Sequence, residues 1–431
     1  MALNLVTLVL QMVVVLTLCR LVGSLFLKIG QPRVNGEMFA GILLGPSLLG
    51  WVAPHVSSYV FPAASLEFLN ALGQVGVVLF MFLAGLGIDP AELKSQARAA
   101  AVTTVVSILG PFLLAFPLAM YLYPRVSSSD VTFTNFALFL GAATSITAFP
   151  MLARMLIERK ILSTRLGTVA MACAGASGVA TWLILAYIVV LLRASHNTKA
   201  LWISFGGLAA FSLVMFLVIQ PALRSFEKLF SGHAGLSDGR LAGLLLLVLA
   251  ASVCTGYLGI HPLFGAFMVG MVMPKDQRLN RYILDRLETL TVSLLLPLYF
   301  AFSGLRTNVG LVKGSEMWMY CGVIILAAIL GKAVFSMLAA WATGLSLREA
   351  AGLGALLNTR GLIALVVLNI GLDLKVISQA MFAMLVVMAL VNTVLTIPLL
   401  NLFCPKPSDA ESKDREGLGA ALKLSSSDST A

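Results

Sequence analysis

Charge is what this sequence has least of. Asp, Glu, Lys and Arg together supply 11% of its 431 residues, against about 25% in a soluble domain. With 59% hydrophobic residues and a mean hydropathy of +0.97, too little polar surface remains to coat a water-soluble globule, which excludes a soluble enzyme. Histidine is scarce: four residues, none clustered, leave no His-based metal site. The five cysteines, Cys19, Cys173, Cys254, Cys321 and Cys404, are scattered, and four lie inside apolar stretches. Their spacing fits neither a metal centre nor a disulfide framework, so they read as small packing residues. A phosphate-cradling glycine loop and a Ser-His-Asp arrangement are missing too, and neither a cofactor nor a metal is expected.

What the chain has instead is apolar length. Thirteen stretches read as transmembrane helices: 2–27, 35–53, 67–87, 99–123, 134–153, 166–192, 200–222, 241–257, 260–274, 287–304, 316–343, 350–371 and 377–403. A stretch of about 20 apolar residues crosses the hydrocarbon of a bilayer, and the predicted class is an all-α integral membrane protein. Residues 2–27 are too long for the apolar part of a signal peptide, and Cys19, Arg20 and Leu21 offer no small-residue cleavage site.

The net charge of +10 forms no single patch, which argues against nucleic acid. The basic residues alternate between connections instead: sixteen Lys and Arg in the odd-numbered ones and six in the even-numbered ones. The positive-inside rule then places the N-terminus outside and the C-terminus in the cytoplasm, with the cell membrane as the expected location. The expected layout is a transmembrane domain over 1–404 and a disordered cytoplasmic tail over 405–431, where Ser, Asp, Lys, Glu and Gly take over.

Two stretches carry helix breakers in their middles. Residues 142–150, AATSITAFP, combine Thr144, Ser145 and Thr147 with Pro150. Residues 288–306 contain Pro297 and Gly304. A proline frees a backbone carbonyl that lipid cannot satisfy, so these stretches, the fifth and the tenth, are expected to be discontinuous helices in two related halves, with solute bound between their loose ends.

Several motifs in order resemble one family. They are GQPRVNGEMFAGILLGPSLLG (Gly30–Gly50), FMFLAGLGID (Phe80–Asp89), SITAFPMLARMLIERKIL (Ser145–Leu162), LLLPLYFAFSGLRT (Leu294–Thr307) and GALLNTRGLIALVVLNIG (Gly354–Gly371). Together they are similar to the monovalent cation:proton antiporter-2 family of the sodium/hydrogen exchanger superfamily. The resemblance implies two inverted repeats, crossing broken helices, a core domain beside a dimerisation domain, and a homodimer in the lipid bilayer. It implies alternating access in which a proton is exchanged for Na⁺ or K⁺ on membrane-embedded carboxylates.

Against that pattern three acidic positions are lost. Ser177 and Gly178 stand where relatives carry an acidic or Asn-Asp pair, Gly87 where AGLE-x-D has Glu (Asp89 is kept), and Ala364 where NTRGL-x-E has Glu. The basic residues Lys332 and Arg360 remain, with Glu37, Glu288 and Glu158 as the acids near enough in sequence to serve them. A charge at the bilayer centre costs about 2.5–3.5 kcal/mol even on lenient scales, so each cation needs a partner, a watery cavity or a lowered pKa. The bland alternative is that Lys332 snorkels to the membrane surface and Arg360 pairs with Glu288 or a helix end. Thr144, Ser145, Thr147, Ser177, Lys332, Asn358 and Arg360 are therefore the candidate solute or ion ligands, and Glu37 and Glu288 the candidate proton carriers. The leading reading is a secondary transporter of the cation:proton type, not an enzyme, with non-standard coupling because hydroxyls do not titrate near neutral pH. The alternative keeps the scaffold for an organic anion, exported or converted within the membrane. A third reading is a degenerate homologue with a regulatory or structural role.

Overall fold

The computed structural model describes residues 5–87, 97–127, 131–159, 161, 164–193, 198–224, 238–258 and 261–404. Asp89 and the tail 405–431 lie outside the described residues, as does the side chain of Glu158. Helices occupy every apolar stretch: α1 (Leu5–Lys28), α2 (Arg33–Leu44), α3 (Ala63–Leu86), α4 (Ala97–Val126), α5a (Phe133–Ser145), α5b (Phe149–Glu158), α6 (Arg165–Arg193) and α7 (Thr198–Val214). They continue with α8 (Asp238–Tyr257), α9 (Pro262–Val272), α10 (277–305), α11 (314–342), α12a (Leu347–Leu357), α12b (Leu362–Asp373) and α13 (Gln379–Phe403). Nine are long and apolar enough to cross a membrane among the described residues.

Polar residues at the helix ends set where several helices begin. Thr132, Asp276 and Ser378 accept backbone N–H groups at the starts of α5a, α10 and α13, satisfying donors that the first turn leaves open. Ser346 and Glu349 form a reciprocal capping box at α12a. The Ser346 hydroxyl and backbone N–H hold the Glu349 carboxyl below its ordinary range. That stabilisation is present above the ordinary carboxylate pKa and fades as pH falls through the lowered value.

The helices too short or too broken to cross unaided come in pairs separated by seven positions: α2 with α9, and α5 with α12. The packing repeats with the same offset. α3 lies on α9 and α10 on α2; α4 lies on α5a and α11 on α12a; α4 lies on α6 and α11 on α13. Helices seven crossings apart run in opposite directions, so the halves α1–α6 and α8–α13 are inverted repeats, with α7 joining them. The contacts sort the helices into a panel (α1, α2, α3, α8, α9, α10) and a bundle (α4, α5, α6, α11, α12, α13).

The second break is not where Pro297 suggested. α10 runs without interruption from Gln277 to Leu305 and contains a π turn, Thr291–Leu295. The wider turn gives the pyrrolidine ring room where an α turn would clash, and proline is tolerated in the first turn that follows. The chain breaks instead at 358–361, between α12a and α12b, where no proline stands. In the fifth stretch the break, 146–148, precedes Pro150, which sits in the first turn of α5b.

Between helices in lipid, close approach of backbones replaces the hydrophobic effect as the source of adhesion. A Cβ on Gly304 of α10 would collide with the backbone of Gly41 on α2, and one on Gly331 of α11 would lie 2.9 Å from Pro111 Cα on α4. Gly178 differs: it is buried, yet a Cβ there meets no atom within 4 Å. Gly304→Ala is therefore expected to cost about 1–3 kcal/mol, the usual penalty of overpacking, read as a lowered unfolding temperature in detergent. Gly178→Ala, in a helix interior with room for the methyl group, should leave that temperature unchanged or raise it. Equal tolerance of both substitutions would contradict this packing.

Candidate functional site

The two breaks meet. The Ala148 N–H donates to the Thr359 carbonyl at 3.0 Å, and the Thr147 hydroxyl donates to the Leu357 carbonyl at 2.9 Å. The last carbonyls of a helix have no partner within it, and α5a ends inside the protein, with Thr144 and Ser145 fully buried. Two cations take up those carbonyls. Lys332 Nζ donates to the Ser145 carbonyl at 2.6 Å and approaches the Ser107 hydroxyl of α4 at 3.5 Å. Arg360 spans the neighbouring carbonyls, donating through Nη2 to Thr144 at 2.5 Å and through Nη1 to Ile146.

Lys332 and Arg360 are each 0% exposed. Their placement has a local cause. Lys332 lies in a π turn of α11, Leu330–Val334, of the kind that re-aims one side chain inside a helix. Arg360 sits in the break between α12a and α12b, and its backbone is tied to Thr393 of α13: the N–H donates to the hydroxyl at 3.2 Å, and the hydroxyl lies 3.0 Å from the Arg360 carbonyl. A helix C-terminus carries about half a negative charge, so cations at the end of α5a are favourable there. Among the described residues neither has a carboxylate partner; Lys332 does not reach the membrane surface, and Arg360 is held by a helix end, not by Glu288.

The remaining candidates fall into three groups. The Thr144 and Ser145 hydroxyls turn back onto their own helix, toward the Leu140 and Ala142 carbonyls. Ser177 and Asn358 are each 0% exposed, and the Ser177 hydroxyl and both amide atoms of Asn358 have no hydrogen-bond partner. Buried polar atoms are almost always satisfied, so these groups stand out among the candidates, together with Arg360 Nε, which also has no partner. α6, which carries Ser177, packs against α12a, which ends at Asn358. Glu37 is buried at 4% exposure on α2, in the panel and not at the crossing. Glu288 is exposed near the end of the first segment of α10. No cluster of three His, Cys, Asp or Glu able to hold a metal occurs among the described residues.

Sequence reasoning missed Ser107, Thr393 and a second polar network. On α12b, the Asn369 amide donates to Ser303 at 3.0 Å and to the Tyr299 hydroxyl at 3.3 Å, both on α10. Arg306, at the end of α10, reaches back to Asn369 at 3.2 Å and pairs with Asp373 at 2.7 Å. This ties the bundle to the panel at one face. Asn369 inside an otherwise apolar stretch was the signal for it.

Arg360 bridges two carbonyls because its guanidinium is a planar fork, which a lysine ammonium is not. Arg360→Met should destabilise the protein by about 1–3 kcal/mol for each carbonyl left unpaired, with Arg360→Lys falling between it and the wild type. A thermal melt in which Arg360→Met matches the wild type would contradict the arrangement.

Comparison with known proteins accords with this geometry. The pattern of the sodium/hydrogen exchanger transmembrane family matches residues 13–402. The Na⁺/H⁺ antiporter NhaS4 of Synechocystis sp. is 36% identical over 399 residues, covering 92% of this chain and 97% of its own. Cation/H⁺ antiporter 17 of Arabidopsis thaliana is 38% identical and K⁺/H⁺ antiporter 1 of Saccharomyces cerevisiae 32%, covering 91% and 92% of this chain. Of these plant and yeast relatives the chain spans slightly less than half, 48% and 46%. The sodium proton antiporter MjNhaP1 of Methanocaldococcus jannaschii shares the fold, with a TM-score of 0.63 at 17% identity over 91% of this chain and 96% of that one. With its inverted repeats, crossed half-helices and matched span, this chain is a multi-pass membrane protein that belongs to the sodium/hydrogen exchanger family.

Proposed function

We propose that the chain is a secondary transporter of the cation:proton antiporter type whose coupling does not run through carboxylates at the crossing. Relatives named as Na⁺/H⁺, K⁺/H⁺ and cation/H⁺ antiporters support the class. The observation that carries the finer reading is Lys332 and Arg360 engaged by carbonyls of α5a, together with Ser177, Gly178 and Ala364 at positions where the family resemblance implies acids. Asn358 and Ser177 supply oxygens suited to Na⁺ or K⁺, but neither titrates near neutral pH. Glu37 is then the buried candidate proton carrier, whereas the exposure of Glu288 makes it the weaker one.

The panel–bundle division suits alternating access, in which one body moves against the other. The Arg306–Asp373 tie would hold one face shut and would have to break in the opposite state. The protein is proposed to act as a homodimer in the cell membrane, its N-terminus outside and its C-terminus in the cytoplasm. A second reading, an organic carboxylate as solute, draws on one observation: two buried cations, with Arg360 Nε left without a partner, outweigh the charge of the helix ends.

Proton flux in proteoliposomes tests the altered coupling. The wild type is expected to show weak or no Na⁺/H⁺ and K⁺/H⁺ exchange. Gly178→Asp, with or without Ser177→Asp, should introduce cation-dependent flux, since Gly178 faces open space. Robust exchange by the wild type with a bell-shaped pH dependence would overturn the altered coupling and leave the antiporter class standing.

A further inference from the structure

Away from the Arg306–Asp373 tie, the panel and the bundle part around a cleft. It has two lobes of about 150 and 470 Å³ that share Gly30, Gln31, Arg159 and Ile397. One wall is the turn from α1 to α2; the other is the end of α5b with the last turns of α13. The cleft lies beside the first and fifth connections, on the face where Lys and Arg concentrate.

Its lining is apolar apart from a few groups. Leu27, Ile29 and Ile397 contribute hydrocarbon, and Leu27 and Ile29 are 42% and 65% exposed at a helix end that borders lipid. The Gln31 amide is occupied, donating to the Val394 carbonyl at 3.1 Å and accepting from Asn35 at 3.3 Å. Arg159 is not: its Nη1 is buried and has no hydrogen-bond partner. Arg159 itself is half-buried, and a guanidinium with one nitrogen withdrawn from water and the rest facing a cleft suits an anion. Asn401 stands in the same lobe to add a second polar contact.

We infer that this cleft holds the headgroup of an anionic phospholipid, its phosphate on Arg159 and its acyl chains over the apolar walls. A free phosphate would satisfy the guanidinium but leave those walls uncovered, and the leaflet on the Lys/Arg-rich face is the one rich in anionic lipid. Because the walls belong to the panel and the bundle, an occupant favours the arrangement in which the cleft is open. The inference depends on membrane embedding and not on what is transported.

The test is native mass spectrometry of the full chain in neutral detergent, comparing phosphatidylglycerol with phosphatidylcholine. The wild type should prefer phosphatidylglycerol by about fivefold, the factor one basic residue contributes at an anionic surface. Arg159→Gln should lose the preference and Arg159→Lys keep most of it, with unfolding temperatures confirming that both fold. Arg125→Gln, altering an exposed residue on the opposite face that lies over the Tyr121 ring, should behave as the wild type. Unchanged preference in Arg159→Gln would overturn the inference, as would displacement of the lipid by millimolar inorganic phosphate, which would mark a free-anion site.

Discussion

The carbonyls at the end of α5a cannot be left bare. They end a helix among buried residues, where lipid offers no partner, and the crossing of the two broken helices depends on what takes them up. Lys332 and Arg360 do so together, from two elements of the other repeat. The lysine comes from a π turn of α11 and the arginine from the break of α12. Because each cation reaches across to α5a, the two inverted halves are held at the same point that leaves Ser177 and Asn358 with polar atoms to offer.

That arrangement also sets the electrical character of the site. Two basic side chains stand against partial negative charges at the helix C-terminus, and neither has a carboxylate partner among the described residues. A cation entering such a place meets oxygen ligands but no anion. On the proposed reading, exchange with protons does not run through a carboxylate at this crossing, or the native solute is not a bare cation. The panel and bundle are meanwhile joined on one face by Arg306, Asp373 and Asn369 and parted on another by the cleft at Arg159, an asymmetry suited to a body that rocks.

Much of the fold was legible in the sequence. Apolar length placed the helices, including the short α9 after the Gly256–Pro262 stretch, and the hydroxyls before Pro150 marked the first break. The second break was not, because nothing at 358–361 breaks a helix by itself: Asn358 and Arg360 are polar, and the chain parts there because Thr393 and the α5a carbonyls offer better partners than another turn would. Pro297 misled for the opposite reason, since a π turn absorbs it. Lys332 and Arg360 stood out in the sequence as basic residues inside apolar stretches, and a helix end was one of the partners open to Arg360, but which carbonyls would meet them was not legible. Backbone carbonyls at a helix end are invisible in a sequence until the helix is known to end.

The contact between Lys332 and the Ser145 carbonyl is the most direct test of this account. Solid-state NMR on the reconstituted protein, with ¹⁵N at lysine Nζ and ¹³C at serine carbonyls, measures the dipolar coupling between them. With Nζ 2.6 Å from the Ser145 oxygen, a strong lysine–serine coupling should appear in the wild type and vanish in Lys332→Met. A wild-type spectrum without that coupling, or one unchanged in Lys332→Met, would show that something other than Lys332 satisfies the end of α5a.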